Sequence, residues 1–193
     1  VVTHRIAHLI DVAEVAPWNI LAVTFTNKAA DEMRSRVTAL SSDRGAGVEL
    51  GTFHGVCARI LRRFSDRIGI NRNFTIFDGT DQTAVVRTAM KDLGLTASQV
   101  SPAGARNAIS RAKDELMTHH QFAEHAQGFF EDMVAKIYAR YEQILNGADG
   151  QDFGDLIVSA VRLIREDAEV LAYYQDRFRY VMVNEYQDRS EEH

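Results

Sequence analysis

The stretch Tyr180 to Asp188, reading Tyr-Val-Met-Val-Asn-Glu-Tyr-Gln-Asp, constrains this chain more than any other. Val181, Met182 and Val183 form an apolar, β-prone run that stops abruptly at polar and acidic side chains grouped around Tyr186. A continuous apolar run of this length reads as a buried parallel strand. In open α/β sheets ligands bind outside the carboxyl ends of the strands, so Asn184, Glu185, Gln187 and Asp188 stand where a site is expected. The plainer reading is a strand that runs into a solvated acidic turn.

The same device occurs twice more. After Pro17, the run Ile20-Leu21-Ala22-Val23 leads into Thr24-Phe25-Thr26-Asn27, and a helix follows from about Asn27 to Leu40 with Ala30, Met33, Val37 and Leu40 inward. Thr26 or Asn27 is a suitable N-cap. A second strand, Val48 to Thr52, leads into Phe53-His54-Gly55 and a helix from about Gly55 to Ile68. Strand ends of this kind place free backbone N–H groups at a helix N-terminus, where they attract phosphate oxygens or are satisfied by ordinary capping. The second helix carries Arg59, Arg62, Arg63 and Arg67 with only Asp66 to oppose them. A cationic helix behind such a strand end suits a nucleic-acid backbone, with Phe25 and Phe53 free to stack on bases. The plainer alternative makes both phenylalanines core and the arginines a solvated face.

From Asn71 to about Asn146 strand-like runs nearly vanish. Phe74 to Phe77 is a brief extended piece, Thr80 is the expected cap of a helix holding Val85, Val86, Ala89, Met90 and Leu93, and Ser101-Pro102 starts another helix. His119, His120 and His125 read as a polar stretch. Gly128 to Leu145 carries a wide apolar stripe that includes Phe130, Met133, Tyr138 and Tyr141, the mark of a core helix. Asn146-Gly147 to Gly150 reads as a linker, after which Asp152 caps a deeply buried helix from Phe153 to about Arg165. A short helix around Glu169 to Tyr174 leads back to Tyr180. Strand-helix units thus flank an all-helical block, and the economical architecture is one α/β domain interrupted by a helical insertion.

Composition narrows the class. A chain of 193 residues with 46% hydrophobic residues buries an ordinary globular core, and a net charge of -5 excludes a uniformly basic coat but not a local basic face. The single Cys57 excludes an internal disulfide or a cysteine metal cluster. With no signal-peptide pattern and no apolar run of membrane-spanning length, the expected location is cytoplasmic. His4 and His8 share the spacing of zinc ligands on a helix, but Arg5 stands where the metalloprotease pattern needs Glu.

Four separated segments resemble the UvrD/Rep-type superfamily 1 DNA helicases. They are Ala22 to Ala30 with Glu32-Met33-Arg34, Gly51 to Gly55, Asp152-Phe153 with Asp155-Leu156, and Glu185 to Asp188, in the family's order and approximate spacing. The resemblance implies a partial RecA-like parallel-sheet P-loop NTPase domain in residues 1–70 and 147–193, interrupted by a helical 1B-like insertion in residues 71–146. It implies single-stranded DNA, bound without sequence preference, as partner, with Phe25, Thr26, Asn27, Thr52, Phe53 and His54 as contacts. It also implies ATP and magnesium as cofactors. Glu185 and Gln187 fall at catalytic positions of the family's Walker B segment, Glu185 as the residue that positions the attacking water. Asn184 stands at the magnesium position, where the family has Asp, and Arg189-Ser190 replace the usual Thr-Asn. An amide keeps one oxygen but loses the charge, so weaker magnesium binding is expected.

Val1 to Ile6 resembles the helix just after the family's Walker A loop. The loop itself and the second RecA-like domain are therefore expected outside these residues, and the piece alone is expected neither to hydrolyse ATP nor to translocate. The function implied is part of an ATP-dependent 3′ to 5′ DNA helicase or translocase. Alternatives are a catalytically impaired single-strand binding module, the helicase arm of a helicase-nuclease, and an interaction scaffold.

Overall fold

The computed structural model describes residues 1–184, the side chains of Ser42 and Asp43 excepted. Glu185, Gln187 and Asp188 lie outside the described residues. In chain order the elements are α1 (Val2–Asp11), β1 (Ile20–Thr24), α2 (Asn27–Ser41), β2 (Glu49–Thr52), α3 (Phe53–Arg63), α4 (Ser65–Ile68), β3 (Thr75–Phe77), α5 (Gly79–Asp92), α6 (Pro102–Asp114), α7 (His119–His125), α8 (Phe129–Gly147), β4 (Gly150–Asp152), α9 (Phe153–Glu166), α10 (Ala168–Arg177) and β5 (Tyr180–Val183). The class is mixed α/β, mostly helical with small parallel sheets, consistent with a partial RecA-like helicase domain. Two compact units result, Val1–Ile60 with Leu163–His193, and Leu61–Arg162.

The first unit is built on a three-stranded sheet in the order β2-β1-β5, all parallel. Leu21 pairs with Glu49 on one side and Val181 on the other, and the register runs on to Thr24 opposite Thr52 and Val23 opposite Val183. Ile20 and Ala22 of β1, Leu50 of β2, Ile6, Leu9 and Ile10 of α1, and Met33 and Val37 of α2 form the core. The apolar residues of both helices recur at three- and four-residue spacing, so each presents one stripe to the sheet. Leu40, expected inward, is 43% exposed, while Ser41 at the end of α2 is buried. The third strand departs further from expectation. Among the described residues β5 pairs with β1 alone, and its Tyr180 and Val181 are exposed, where a buried strand was expected.

The second unit packs α5, α6 and α8 around Val86, Ala89, Ile109, Val134, Ile137, Tyr141 and Leu145, with α7 against α8. Four sequence expectations are corrected within it. The cap of α5 is Asp78, whose carboxylate accepts from the Thr80 and Asp81 N–H groups while Asp81 reaches back to the Asp78 N–H. A carboxylate with an acidic residue three positions on closes a reciprocal box that Thr80 cannot make. His119 to His125 is helical, started by the Thr118–Gln121 capping box. The expected linker does not exist as such: α8 runs to Gly147, and Gly150 to Asp152 form β4, buried and parallel to β3. Phe130, placed in the core stripe of α8, is 44% exposed at the helix start.

Lys113 of α6 is the most consequential residue of this unit. Its ammonium lies 2.7 Å from Asp152, 2.6 Å from Asp155 and 2.8 Å from Glu142, with the side chain only 2% exposed. The Tyr141 hydroxyl donates to the same Asp152 carboxylate at 2.7 Å. Gly154 makes the approach possible, because a Cβ there would stand 2.9 Å from the Lys113 stem. Burial pulls the Lys113 pKa down, but the charges of Asp155, Asp152 and Glu142 outweigh it and hold the ammonium above its ordinary range. Burial pushes Asp155 up to about 7, only partly offset by Lys113. Asp152, equally subject to burial, is held below the usual carboxylate range by Lys113 and by its hydrogen bonds.

The sign of the pH dependence follows from Asp155. An unfolded aspartate releases its proton near pH ~4, whereas the folded one keeps it to about 7. Between those values the folded state binds more protons, so this group lowers stability as pH rises and is flat above. Asp155→Asn is expected to remove a slope of up to about 1.4 kcal/mol per pH unit from the stability of residues 61–162 between pH ~4 and ~7. Amide exchange measured across that window checks it, and a slope unchanged by the substitution refutes it.

Candidate functional site

The carboxyl end of the three-stranded sheet gathers most of the sequence-predicted residues that the structure describes. β1 ends at Thr24 and the chain turns through Phe25 and Thr26 into α2. Thr26 is the cap, its Oγ1 accepting from the Ala29 N–H at 3.1 Å. β2 ends at Thr52, whose Oγ1 accepts from the Gly55 N–H at 3.1 Å, so α3 begins at Phe53 and not at Gly55. In each cap the hydroxyl spends a lone pair and keeps its proton to donate outward. The two turns meet: the Phe25 and Phe53 rings lie 5.2 Å apart at a 48° tilt, and Phe25 is 42% exposed. Thus Phe25, Thr26, Thr52 and Phe53 come together, with Asn27 and His54 in the first turns of α2 and α3.

Asn184 sits at the same end. Its N–H donates to the Val23 carbonyl at 3.0 Å, which continues the β1–β5 ladder one residue beyond the strand. The arginines of α3 behave differently from the expected open face. Arg59 reaches back to Glu49 at 2.7 Å, passing over Gly51, where a Cβ would stand 3.0 Å from its Nη2. Arg177 of α10 approaches the other oxygen of Glu49 at 3.4 Å. Glu49, on β2, lies across the sheet edge from the α3 helix and supplies the counter-charge that sequence spacing concealed. In the second unit the Arg62 guanidinium lies 5.0 Å from the Phe74 ring centroid. The helix breaks at Phe64, which separates Arg67 onto α4. Cys57 of α3 is half-buried, and burial pushes its thiol up to about 11, which disfavours the thiolate at neutral pH.

Asp152 and Asp155, the acidic pair of one family-like segment, are spent on structure. Asp152 accepts from the Asp155 N–H at 2.8 Å and Asp155 from the Asp152 N–H at 3.0 Å, a reciprocal cap that starts α9 while both hold Lys113. Among the described residues no group of three or more His, Cys, Asp or Glu side chains is placed to hold a metal ion, and no helix is long and apolar enough to cross a membrane.

A sequence model of the UvrD/REP helicase N-terminal domain matches residues 1–192. The chain belongs to that family. The ATP-dependent DNA helicase PcrA of Staphylococcus aureus is 45% identical over 188 residues, covering 97% of this chain and 26% of that protein. The PcrA of Staphylococcus epidermidis matches at the same 45% identity and coverage. The chain therefore spans about a quarter of the length of these relatives, 26% in each case.

Two residues tied to the family-like segments escaped sequence reasoning, one by contact and one by position. One is Lys113, which stands in the polar run Arg-Ala-Lys-Asp-Glu and reads there as a solvated face. The other is Thr24, fully buried at the end of β1 with a hydroxyl that has no hydrogen-bond partner among the described residues. Only the presence of a threonine in an otherwise apolar strand could have drawn notice to it.

Proposed function

We propose that this chain supplies part of the single-strand DNA track and the Walker B side of the ATP site of an ATP-dependent 3′ to 5′ DNA helicase or translocase. The observation that carries the reading is the juxtaposition at one sheet end of a partly exposed Phe25–Phe53 pair with two hydroxyl-capped helix N-termini and the Asn184 strand end. Aromatic faces stack on any base, while N–H groups and hydroxyls hold phosphates, so binding is to single strands with little sequence preference. In this reading the 1B-like insertion is residues 71–146, which fall inside the second compact unit.

Magnesium and ATP together supply a polarised terminal phosphate and neutralise charge that develops on it. The orphaned Thr24 hydroxyl beside the Asn184 position is the observation against which their fit is tested. Magnesium keeps several of its waters and is usually held through one or two carboxylates, so neutral oxygens that hydrogen-bond those waters fit it, but weakly. In this reading Asn184 would stand at the magnesium position, Glu185 would orient the water that attacks the terminal phosphate, and Gln187 would belong to the same catalytic segment.

Full-length protein carrying Asn184 or Asn184→Asp tests this reading. Restoring the charge is expected to lower the half-saturating magnesium concentration for DNA-stimulated ATP hydrolysis by about ten- to a hundredfold, the difference between a neutral and a charge-assisted contact. Absence of DNA-stimulated hydrolysis in both proteins overturns the enzyme reading. Oligonucleotide binding without turnover in either would establish the impaired binding module, which the neutral Asn184 favours.

A further inference from the structure

We infer that Thr24 is a positioning residue for the side chain at position 184, and so for the magnesium-nucleotide site proposed above, on which this inference rests. Thr24 is 0% exposed and its Oγ1 has no hydrogen-bond partner among the described residues. An unpaired buried hydroxyl is destabilising, and valine has the same shape without the penalty. A threonine here therefore needs a reason outside packing.

Register supplies one. Thr24 pairs with Thr52 on β2, and β1 pairs with β5 through Val23 and Val183. The Asn184 N–H bond to Val23 carries that ladder forward, so the next row across the sheet is Thr52, Thr24, Asn184. Neighbours in a row of a parallel sheet share a face. The Thr52 oxygen accepts from the Gly55 N–H and is not bonded to Thr24, and Asn184 is the other neighbour of Thr24 in the row. With the nucleotide site filled, the Thr24 hydroxyl donates to the amide oxygen of Asn184, directly or through one water, and turns that oxygen toward the nucleotide. Orientation matters more for a neutral amide than for a carboxylate, since no charge compensates for misalignment.

Thr24 also immediately precedes Phe25. A strand of DNA that stacks on Phe25 bears on the same turn of backbone, so nucleotide and oligonucleotide are coupled through Thr24, and by linkage each affects the other equally.

The test uses full-length wild type, Thr24→Val and Thr24→Ser. A fluorescent ATP analogue is titrated at a series of magnesium concentrations, with and without oligo(dT), and thermal midpoints are recorded. In Thr24→Val the half-saturating magnesium for analogue binding is expected to rise about tenfold, the loss of one aligned hydrogen bond. The oligo(dT) effect on analogue affinity should vanish, and the thermal midpoint should stay equal or rise. Thr24→Ser should keep both wild-type values. Equal magnesium dependence and equal oligo(dT) effect in wild type and Thr24→Val overturn the inference. A wild type that binds no analogue overturns the nucleotide-site reading itself, a separate result.

Discussion

Lys113→Ala is expected to destabilise residues 61–162 by roughly 3–5 kcal/mol, the magnitude for removing one partner of a buried ion pair. The substitution leaves Asp152, Asp155 and Glu142 facing one another without the ammonium that lies within 2.8 Å of each. It also empties a path lined by Tyr138 and Tyr141, whose ring centroids lie 5.7 Å and 5.0 Å from the ammonium. A whole domain is stable by only about 5–15 kcal/mol, so the loss takes a large share. Amide exchange in α6, α8 and the start of α9 should accelerate together, because the cluster ties those three elements.

The same substitution makes a second, opposite prediction for acid. Without Lys113 the buried Asp152 and Asp155 carboxylates lose the charge that offsets their burial and repel each other, so their ionised forms are disfavoured in the folded state. The variant should therefore gain stability as pH falls and these carboxylates take up protons. Lys113→Met, which refills the apolar path, should recover packing but not charge. A loss below about 1 kcal/mol in Lys113→Ala, the level of an exposed pair, would show that the cluster is solvated and that its burial has no energetic meaning.

The alternation of strand and helix around β1, α2 and β2 was legible because local signals agree there: short apolar runs, a hydroxyl before each helix, and helical spacing in Met33 and Val37. Signals that depend on a distant partner were not. Gly150 to Asp152 reads as a linker by composition, yet it pairs with Thr75 to Phe77, some 75 residues earlier in the chain. Tyr180 to Val183 reads as a buried strand, because an apolar run does not reveal how many neighbours the strand has. At the candidate site, Phe25, Thr26, Thr52 and Phe53 could be named from strand ends alone. Arg59 was misjudged as an open charge because its counter-ion, Glu49, lies on another element. Thr24 went unremarked because a hydroxyl becomes informative only when its burial and its missing partner are both known.

Replacement of Phe25 and Phe53 by alanine, in the full-length protein, is the second large effect expected. Stacking of a base on an aromatic ring is worth about 1–3 kcal/mol by alanine substitution, or roughly ten- to a hundredfold in affinity for each ring. The rings touch at 5.2 Å, so the two losses should not add: one base lodged between or over the pair loses most of its support when either ring goes. The double variant is accordingly expected to bind oligo(dT) about a hundredfold more weakly than wild type, with each single variant accounting for more than half of that energy. Salt dependence separates stacking from charge. Phosphate contacts set the slope of log affinity against log salt at about -0.7 per phosphate for single strands. Removing rings while the Thr26 and Thr52 turns and their N–H groups remain should lower affinity at every salt concentration and leave the slope unchanged. The thermal midpoint should move little for Phe25→Ala, since that ring is 42% exposed. Unchanged oligonucleotide affinity in the double variant would remove this sheet end from the DNA track and favour an interaction scaffold. A changed slope with intact base-independent affinity would move the contact from the rings to the helix N-termini beside them.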